Sequence, residues 1–134
     1  MAYEAVVSDT HPLVFHATAS RLLGRRASAH LRASELRKSI TYVPAAVIWE
    51  LGLLVRVGKV DLGRSMRLFC EDLFSNPAFQ FVELSLEQLL IATERRPNDD
   101  PFDGLICACS LSLGIPLITR DRVIVDSGLV KTVW

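Results

Sequence analysis

Short runs of consecutive apolar residues alternate along the chain with longer segments in which apolar residues recur every three or four positions. The short runs are rich in β-branched and aromatic residues, which favour strands. They predict strands at residues 5–8, 40–43, 79–84, 116–119 and 130–134. The longer segments have the spacing of helices that bury one face. They predict helices at residues 12–16, 25–37, 44–57, 63–74, 85–94 and 100–114.

Several of these helix boundaries carry a local signal of their own. Pro44 suits a first helical turn, and Gly58 stands where that helix should stop. Ser85 is followed three residues later by Gln88, the spacing of a capping box. Asp100 precedes a proline and is a good N-cap for the next helix.

The order of elements predicts the fold class. Strands and helices alternate throughout, and the strands are solidly apolar rather than alternating with polar positions. Both features favour an α/β fold with a mainly parallel central sheet, covered by helices on two faces in a three-layer α/β/α arrangement. Ligands of such sheets bind beyond the carboxyl ends of the strands. The 134 residues fit one domain, residues 1–134.

The composition further narrows the class of protein to which the chain can belong. Half of the residues are hydrophobic and 22% are charged, as in an ordered globular protein. No apolar run reaches the roughly 18 residues that span a bilayer, and residues 1–4 lack the basic start of a signal peptide. We therefore expect a cytoplasmic protein without a membrane partner. The three cysteines, Cys70, Cys107 and Cys109, are interpreted as reduced core thiols rather than a disulfide or zinc pair.

The net charge is zero, which by itself argues against a general nucleic-acid binder. Basic residues are nevertheless dense in one stretch, which contains Arg21, Arg25, Arg26, Arg32, Arg37 and Lys38. Three interpretations remain open for this stretch: a solvated helix surface, a surface that follows RNA phosphates, or a docking face for an acidic partner.

Four acidic residues stand at predicted strand ends or in predicted helices, each beside a strongly apolar run. They are Asp9, Glu50, Asp103 and Asp121. Carboxylates in apolar surroundings need compensation of their charge. If the four converge, a divalent cation with oxygen ligands is the compensation that fits best. The pattern therefore predicts a metal-dependent hydrolase, with phosphodiester cleavage as the leading reaction.

Each acid also has a structural alternative. Asp9 could be an N-cap and Asp121 a turn residue, and Glu50 could be either a snorkelling carboxylate at the edge of an apolar stripe or a partner of Arg56. Asp103 would meet a helix dipole favourably in the first turn of its helix. We interpret Asp100 mainly as a helix cap and treat it as an auxiliary residue of the candidate site.

The segments around these acids resemble a known family. They are VVSDTH at 6–11, VPAAVIWE at 43–50, DDPFDGLICAC at 99–109 and PLITRD at 116–121. In order and spacing they resemble the PIN domain, and within it the VapC-type toxins of bacterial toxin–antitoxin pairs. The resemblance extends over nearly the whole chain.

The resemblance implies an endoribonuclease that depends on Mg²⁺ or Mn²⁺. The four acids of the family fall on Asp9, Glu50, Asp103 and Asp121, which would be both catalytic residues and metal ligands, with Asp100 as an extra acid of this branch. Thr10 and Thr119 could position the scissile phosphate. The resemblance also implies an antitoxin partner and a possible homodimer. The chain departs from the family pattern at two places, which bear on substrate choice and on the level of activity. Gly104 replaces a usual Arg, and Phe15 with His16 replaces a usual aromatic pair.

Two other classes remain as alternatives. A phosphoacceptor regulatory domain also gathers acids at strand ends, but it would need a Lys at the end of a late strand, and Lys131 lies inside the predicted last strand. A catalytically idle PIN-like binding module would be expected to lack one of the acids, and all four are present.

Overall fold

A computed structural model of the protein describes residues 3–134; Met1 and Ala2, which belong to the stretch used to argue against a signal peptide, lie outside the described residues. The strands are β1 Ala5–Ser8, β2 Ile40–Pro44, β3 Phe79–Val82, β4 Leu117–Ile118 and β5 Thr132–Val133. The helices are α1 Thr10–Ala17, α2 Arg25–Glu35, α3 Ala45–Arg56, α4 Met66–Ser75, α5 Leu86–Glu94, α6 Pro101–Leu113 and α7 Arg122–Ser127.

The five strands form one sheet in the order β3-β2-β1-β4-β5, and every pair of neighbours is parallel. The predicted α/β class with a parallel central sheet is therefore confirmed. Strand β1 is central. Its register with β4 pairs Val7 with Leu117 and Ser8 with Ile118. All carboxyl ends of the strands consequently lie at one edge of the sheet.

Alternate residues of the strands enter two buried clusters, as the two-residue period of a strand requires. Val7 and Leu117 belong to a cluster with side chains from α1, α3, α4, α6 and α7. Val6 and Ile118 belong to a second cluster, to which α2 contributes Leu31. The sheet is thus covered on both faces, which completes the three-layer architecture.

The structure differs from the sequence prediction mainly at element ends. Helix α7 was not predicted, because its residues Arg122–Ser127 include Val123, Ile124 and Val125, which favour strands, and only Ile124 is buried. Strands β4 and β5 keep two residues each of the predicted runs. Helix α4 begins at Met66 because the side chain of Ser65 caps it.

The predicted capping box of α5 forms only in part. The Ser85 hydroxyl accepts a hydrogen bond from the Gln88 backbone N–H at 3.1 Å. The Gln88 side chain, however, donates to the carbonyl of Glu83 rather than returning to Ser85. In residues 3–134, no helix has the length and apolar character needed to cross a membrane.

The turn between α1 and α2 is held against the last residue of the chain. A Cβ atom placed on Gly24 would lie 2.5 Å from the Trp134 ring and 2.6 Å from the Trp134 backbone carbon. Only glycine fits this approach without movement of Trp134.

We predict that Gly24→Ala lowers the free energy of unfolding by about 1–3 kcal/mol, the usual cost of forcing an extra methyl into a packed contact. Urea unfolding measures the change. Gly52→Ala is the matched control, because its Cβ would meet Met66 at an ordinary 3.9 Å. That helix-interior change should be neutral or stabilising by up to about 1 kcal/mol. A Gly24→Ala protein as stable as wild type would contradict the packing of Trp134.

Candidate active site

The carboxyl ends of β1 and β4 define the centre of the candidate site. The chain leaves β1 toward β2 on one side, while β4 pairs with the other side of β1. Such a reversal opens a crevice beyond the strand ends, where ligands of parallel sheets bind. Asp9 follows β1 directly, and Asp121 lies three residues after the last residue of β4.

Asp9 is the most buried of the four acids, with 8% of its surface exposed. Its Oδ1 accepts a hydrogen bond from the Thr10 backbone N–H at 2.8 Å, so that it caps α1. Its Oδ2 accepts from the Thr119 hydroxyl at 2.7 Å. Burial raises the pKa of Asp9, and these two hydrogen bonds oppose the rise.

Glu50 lies in the second turn of α3, half-buried, and faces the start of α1. The Thr10 hydroxyl donates a short hydrogen bond to Glu50 Oε1. Burial raises the pKa of Glu50, and the negative charge of Asp9 adds to the rise. Thr10 therefore bridges the two acids, with its N–H on Asp9 and its hydroxyl on Glu50.

Asp103 lies in the first turn of α6. Its Oδ2 accepts a hydrogen bond from the Asn98 amide at 2.9 Å. Burial, with smaller contributions from the charges of Asp100, Asp121 and Asp9, raises the pKa of Asp103 to about 6. Asp103 is thus held at the turn from the loop into α6, close enough to the other acids for their charges to raise its pKa.

Asp100 and Asp121 are helix caps. Asp100 Oδ1 accepts from the backbone N–H groups of Phe102 and Asp103 at 2.8 and 3.2 Å. Asp121 Oδ1 accepts from those of Val123 and Ile124 at 2.9 and 3.1 Å. Asp100 is exposed, which agrees with its mainly structural interpretation.

The carboxylates lie close enough to raise one another's pKa. The charge of Asp9 raises the pKa of both Glu50 and Asp103, and that of Asp121 raises the pKa of Asp9 and Asp103. Within residues 3–134, none of these four forms an ion pair with Lys, Arg or His. Their mutual repulsion is therefore not offset by a salt bridge.

The four carboxylates at this edge of the sheet offer only oxygen ligands, which are the ligands that a hard cation prefers. The side chains are not already grouped as one coordination sphere. Over the described part of the chain, no three His, Cys, Asp or Glu side chains are arranged to hold one ion. Glu50 and Asp103 are instead turned onto Thr10 and Asn98.

Three further residues of this site were missed by the sequence analysis. Asn98 links the loop before α6 to the first turn of that helix, because it donates to Asp103 and accepts a hydrogen bond from the Asp100 N–H at 2.9 Å. Electrostatic attraction to His11 lowers the pKa of both Asp9 and Glu50. Cys107 lies buried one helical turn after Asp103, and burial together with the nearby acids raises its pKa to about 12. Only Cys107 had a local signal, the i+4 spacing from Asp103.

An open cleft of about 500 Å³ lies beside Asp9 and Asp121, and Arg120 also lines it. The predicted basic stretch lies elsewhere in part. Arg37 and Lys38 border a hollow with Glu4 and Ile40, at the amino ends of the strands. Arg26 contacts Tyr3, which precedes β1. The six basic residues therefore do not form one surface at the acids.

Residues 6–127 match the family model of the PIN domain. The chain belongs to the PIN-domain family, whose members are generally nucleases. No protein among the curated ones that were compared matches the chain significantly.

Several solved structures have a fold similar to that of this chain. A chain in VapBC2 from Rickettsia felis bound to a DNA fragment from their promoter is 13% identical, with a TM-score of 0.71 and coverage of 97% of this chain and 98% of that one. A chain in FitAcB from Neisseria gonorrhoeae is 19% identical, with a TM-score of 0.64 and 95% of each chain covered. A chain in a toxin–antitoxin complex from Klebsiella pneumoniae is 15% identical, with a TM-score of 0.61 and 96% of each covered.

We predict that, without divalent ions, Asp103 makes the fold less stable as pH rises from about 4 to about 6. Its pKa is about 6 in the fold and near 3.8 in the unfolded chain, so the fold favours the protonated form. This contribution is complete below pH 4 and lost above pH 6. Urea unfolding of wild type and Asp103→Asn in chelator should show wild type losing stability relative to the variant over that range.

Asp99→Asn is the control for this titration, because the Asp99 side chain is 98% exposed. Asp99→Asn keeps Asp103 and should therefore still lose stability relative to Asp103→Asn over the same pH range. A difference between wild type and Asp103→Asn that is constant with pH would contradict the raised pKa.

Proposed function

We propose that this chain is a divalent-metal-dependent endoribonuclease, a VapC-type toxin of a toxin–antitoxin pair, with residues 1–134 acting as one nuclease domain. The observation that carries the proposal is the set of four carboxylates at the β1–β4 crevice, without an ion-pair partner in residues 3–134, in a PIN-family chain. Three similar solved structures, a toxin–antitoxin complex and two that bear the names VapBC2 and FitAcB, support the toxin assignment.

Asp9, Glu50, Asp103 and Asp121 would hold Mg²⁺ or Mn²⁺. When bound, the ion would supply activation of a water molecule and neutralisation of charge on the phosphate. Glu50 and Asp103 would exchange their hydrogen bonds to Thr10 and Asn98 for this role. Asp9 would stay fixed, because Thr10 and Thr119 hold both of its oxygens.

The raised pKa values have a consequence for this site. Carboxyl groups bind a cation only in their ionised form, so binding below about pH 6 must release the proton of Asp103. The Thr10 hydroxyl, which Glu50 would release, together with the backbone N–H groups at the start of α1, would orient the scissile phosphate, while Thr119 would act through Asp9. Attack by water would leave a 5′-phosphate without participation of the RNA 2′-hydroxyl.

The partner proposed from the family resemblance is an antitoxin protein, and a homodimer is a further proposal. Helix α5 exposes three leucines at i, i+3 and i+4 spacing, with Leu86 72%, Leu89 43% and Leu90 48% exposed, and Trp49 of α3 is 65% exposed. Exposed apolar surface of this kind is typical of protein–protein contacts. It supports a protein partner without specifying which one.

Neither rival class gains support. A phosphoacceptor domain would need a Lys beside the acids, but Lys131 precedes β5 and its Nζ lies over the Tyr3 ring at 5.0 Å, at the amino end of the sheet. An idle PIN-like module would have lost an acid, and Asp9, Glu50, Asp103 and Asp121 are all retained.

The first test of this function is metal binding. Mn²⁺ at about a hundred times its dissociation constant should stabilise the native protein by roughly 2.7 kcal/mol, because it binds only the fold. Thermal melts with Mn²⁺ and with chelator measure the shift. Asp9→Asn should lose most of it, whereas Asp99→Asn should keep it. Identical melts of wild type with Mn²⁺ and with chelator would count against the metal site.

The second test is cleavage of a structured RNA in the presence of Mn²⁺. Asp9→Asn and Asp103→Asn should reduce the rate at least a hundredfold while the protein remains folded, because each removes a ligand charge at little change in volume. Asp100→Asn should stay active, since Asn caps a helix about as well as Asp. If Asp100→Asn is as inactive as Asp103→Asn, Asp100 has more than a capping role.

A further inference from the structure

One arginine at the candidate site is held by aromatic rings instead of by an acid. The guanidinium carbon of Arg120 lies 5.0 Å from the centre of the Phe15 ring and 5.7 Å from that of Trp134. The two rings meet edge-on, with centres 6.4 Å apart and planes at 76°. Cation–π contacts at these distances restrict the guanidinium without neutralising its charge.

The rings themselves are fixed. Phe15 lies in α1, which Asp9 caps, so its position is tied to the acid cluster. Trp134 lies against Gly24 so closely that no side chain would fit at residue 24. Arg120 is therefore held between α1 and the residue that follows β5, at the carboxyl edge of the sheet.

The charge of Arg120 is available to a ligand. Among residues 3–134, the arginines that form ion pairs are Arg64, Arg96 and Arg122, and Arg120 forms none. It is exposed and lines the cleft that Asp9 and Asp121 also line. Guanidinium groups keep their N–H donors free at the edge when rings contact their faces, and this fork matches the oxygens of a phosphate.

We propose that Arg120 is a substrate-binding residue that contacts a backbone phosphate of RNA beside the carboxylate cluster, with Phe15 and Trp134 as positioning residues. This assignment rests on the proposed ribonuclease function. Four neighbouring acids repel a polyanion, so a cation at the same cleft offsets that repulsion locally. Arg37 and Lys38 cannot do this from the amino ends of the strands.

The experiment measures binding of a short fluorescent single-stranded RNA by anisotropy, at several salt concentrations, in the Asp103→Asn background with Mg²⁺. Arg120→Gln should weaken binding about tenfold, the effect of losing one charge-assisted hydrogen bond. It should also flatten the log–log salt slope by about 0.7, since one phosphate contact is lost. Arg120→Lys should keep the slope but lose affinity, because lysine has the charge without the planar fork.

Arg122→Gln is the matched control. It removes the same charge from the same cleft, but Arg122 is 86% exposed and lies 3.9 Å from Asp126. Its effect on affinity should stay below about twofold, with little change in slope. Phe15→Leu, which keeps Arg120 charged but removes one ring, should weaken binding by an intermediate factor at an unchanged slope.

Four outcomes would overturn the proposal. If Arg120→Gln lowers the melting temperature but leaves the salt slope unchanged, Arg120 serves only to hold Trp134. If Arg122→Gln flattens the slope equally, general cleft charge is responsible. If wild type cleaves RNA and Asp103→Asn does not, while Arg120→Gln binds RNA normally, the nuclease function stands and this assignment alone fails. A wild type that neither binds nor cleaves RNA would remove both.

Discussion

The burial of one carboxylate governs the arrangement of this site. Asp9 directly follows the central strand of the sheet and is almost entirely removed from water, without an ion-pair partner in the described chain. Burial of a charge in this way is costly unless hydrogen bonds or a cation compensate it. Thr10 and Thr119 supply two hydrogen bonds, and the raised pKa of Asp9 indicates that they do not fully offset burial.

Strand register is what makes this compensation possible. Thr119 reaches Asp9 because Ser8 pairs with Ile118, so that the next residue of each strand stands opposite the other. A shift by one residue would separate these side chains and move Leu117 and Ile118 to the wrong faces of the sheet. The hydrophobic core and the acid cluster therefore depend on the same pairing of β1 with β4.

The sequence predicted the parts of the molecule that follow from local pattern. Solid apolar runs marked the strands, and the rule that ligands bind beyond strand carboxyl ends pointed to Asp9 and Asp121. Helix α7 was missed because its end caps, Asp121 and Gly128, outweigh the strand preference of its interior. The Arg120 contacts could not be predicted, because they join residues far apart in the chain. The basic residues that are dense along the sequence likewise do not form one surface in the fold, since Arg37 and Lys38 lie at the opposite edge of the sheet.

Three acids at this edge, Asp9, Asp100 and Asp121, are also the N-caps of α1, α6 and α7. Asn serves as an N-cap about as well as Asp, so a change from Asp to Asn keeps the helix start while it removes the charge. That change needs only one base substitution in the codon. In evolutionary terms, a gene for this fold is one base change away from a descendant that still folds but lacks one carboxylate of the site, at Asp9 or at Asp121.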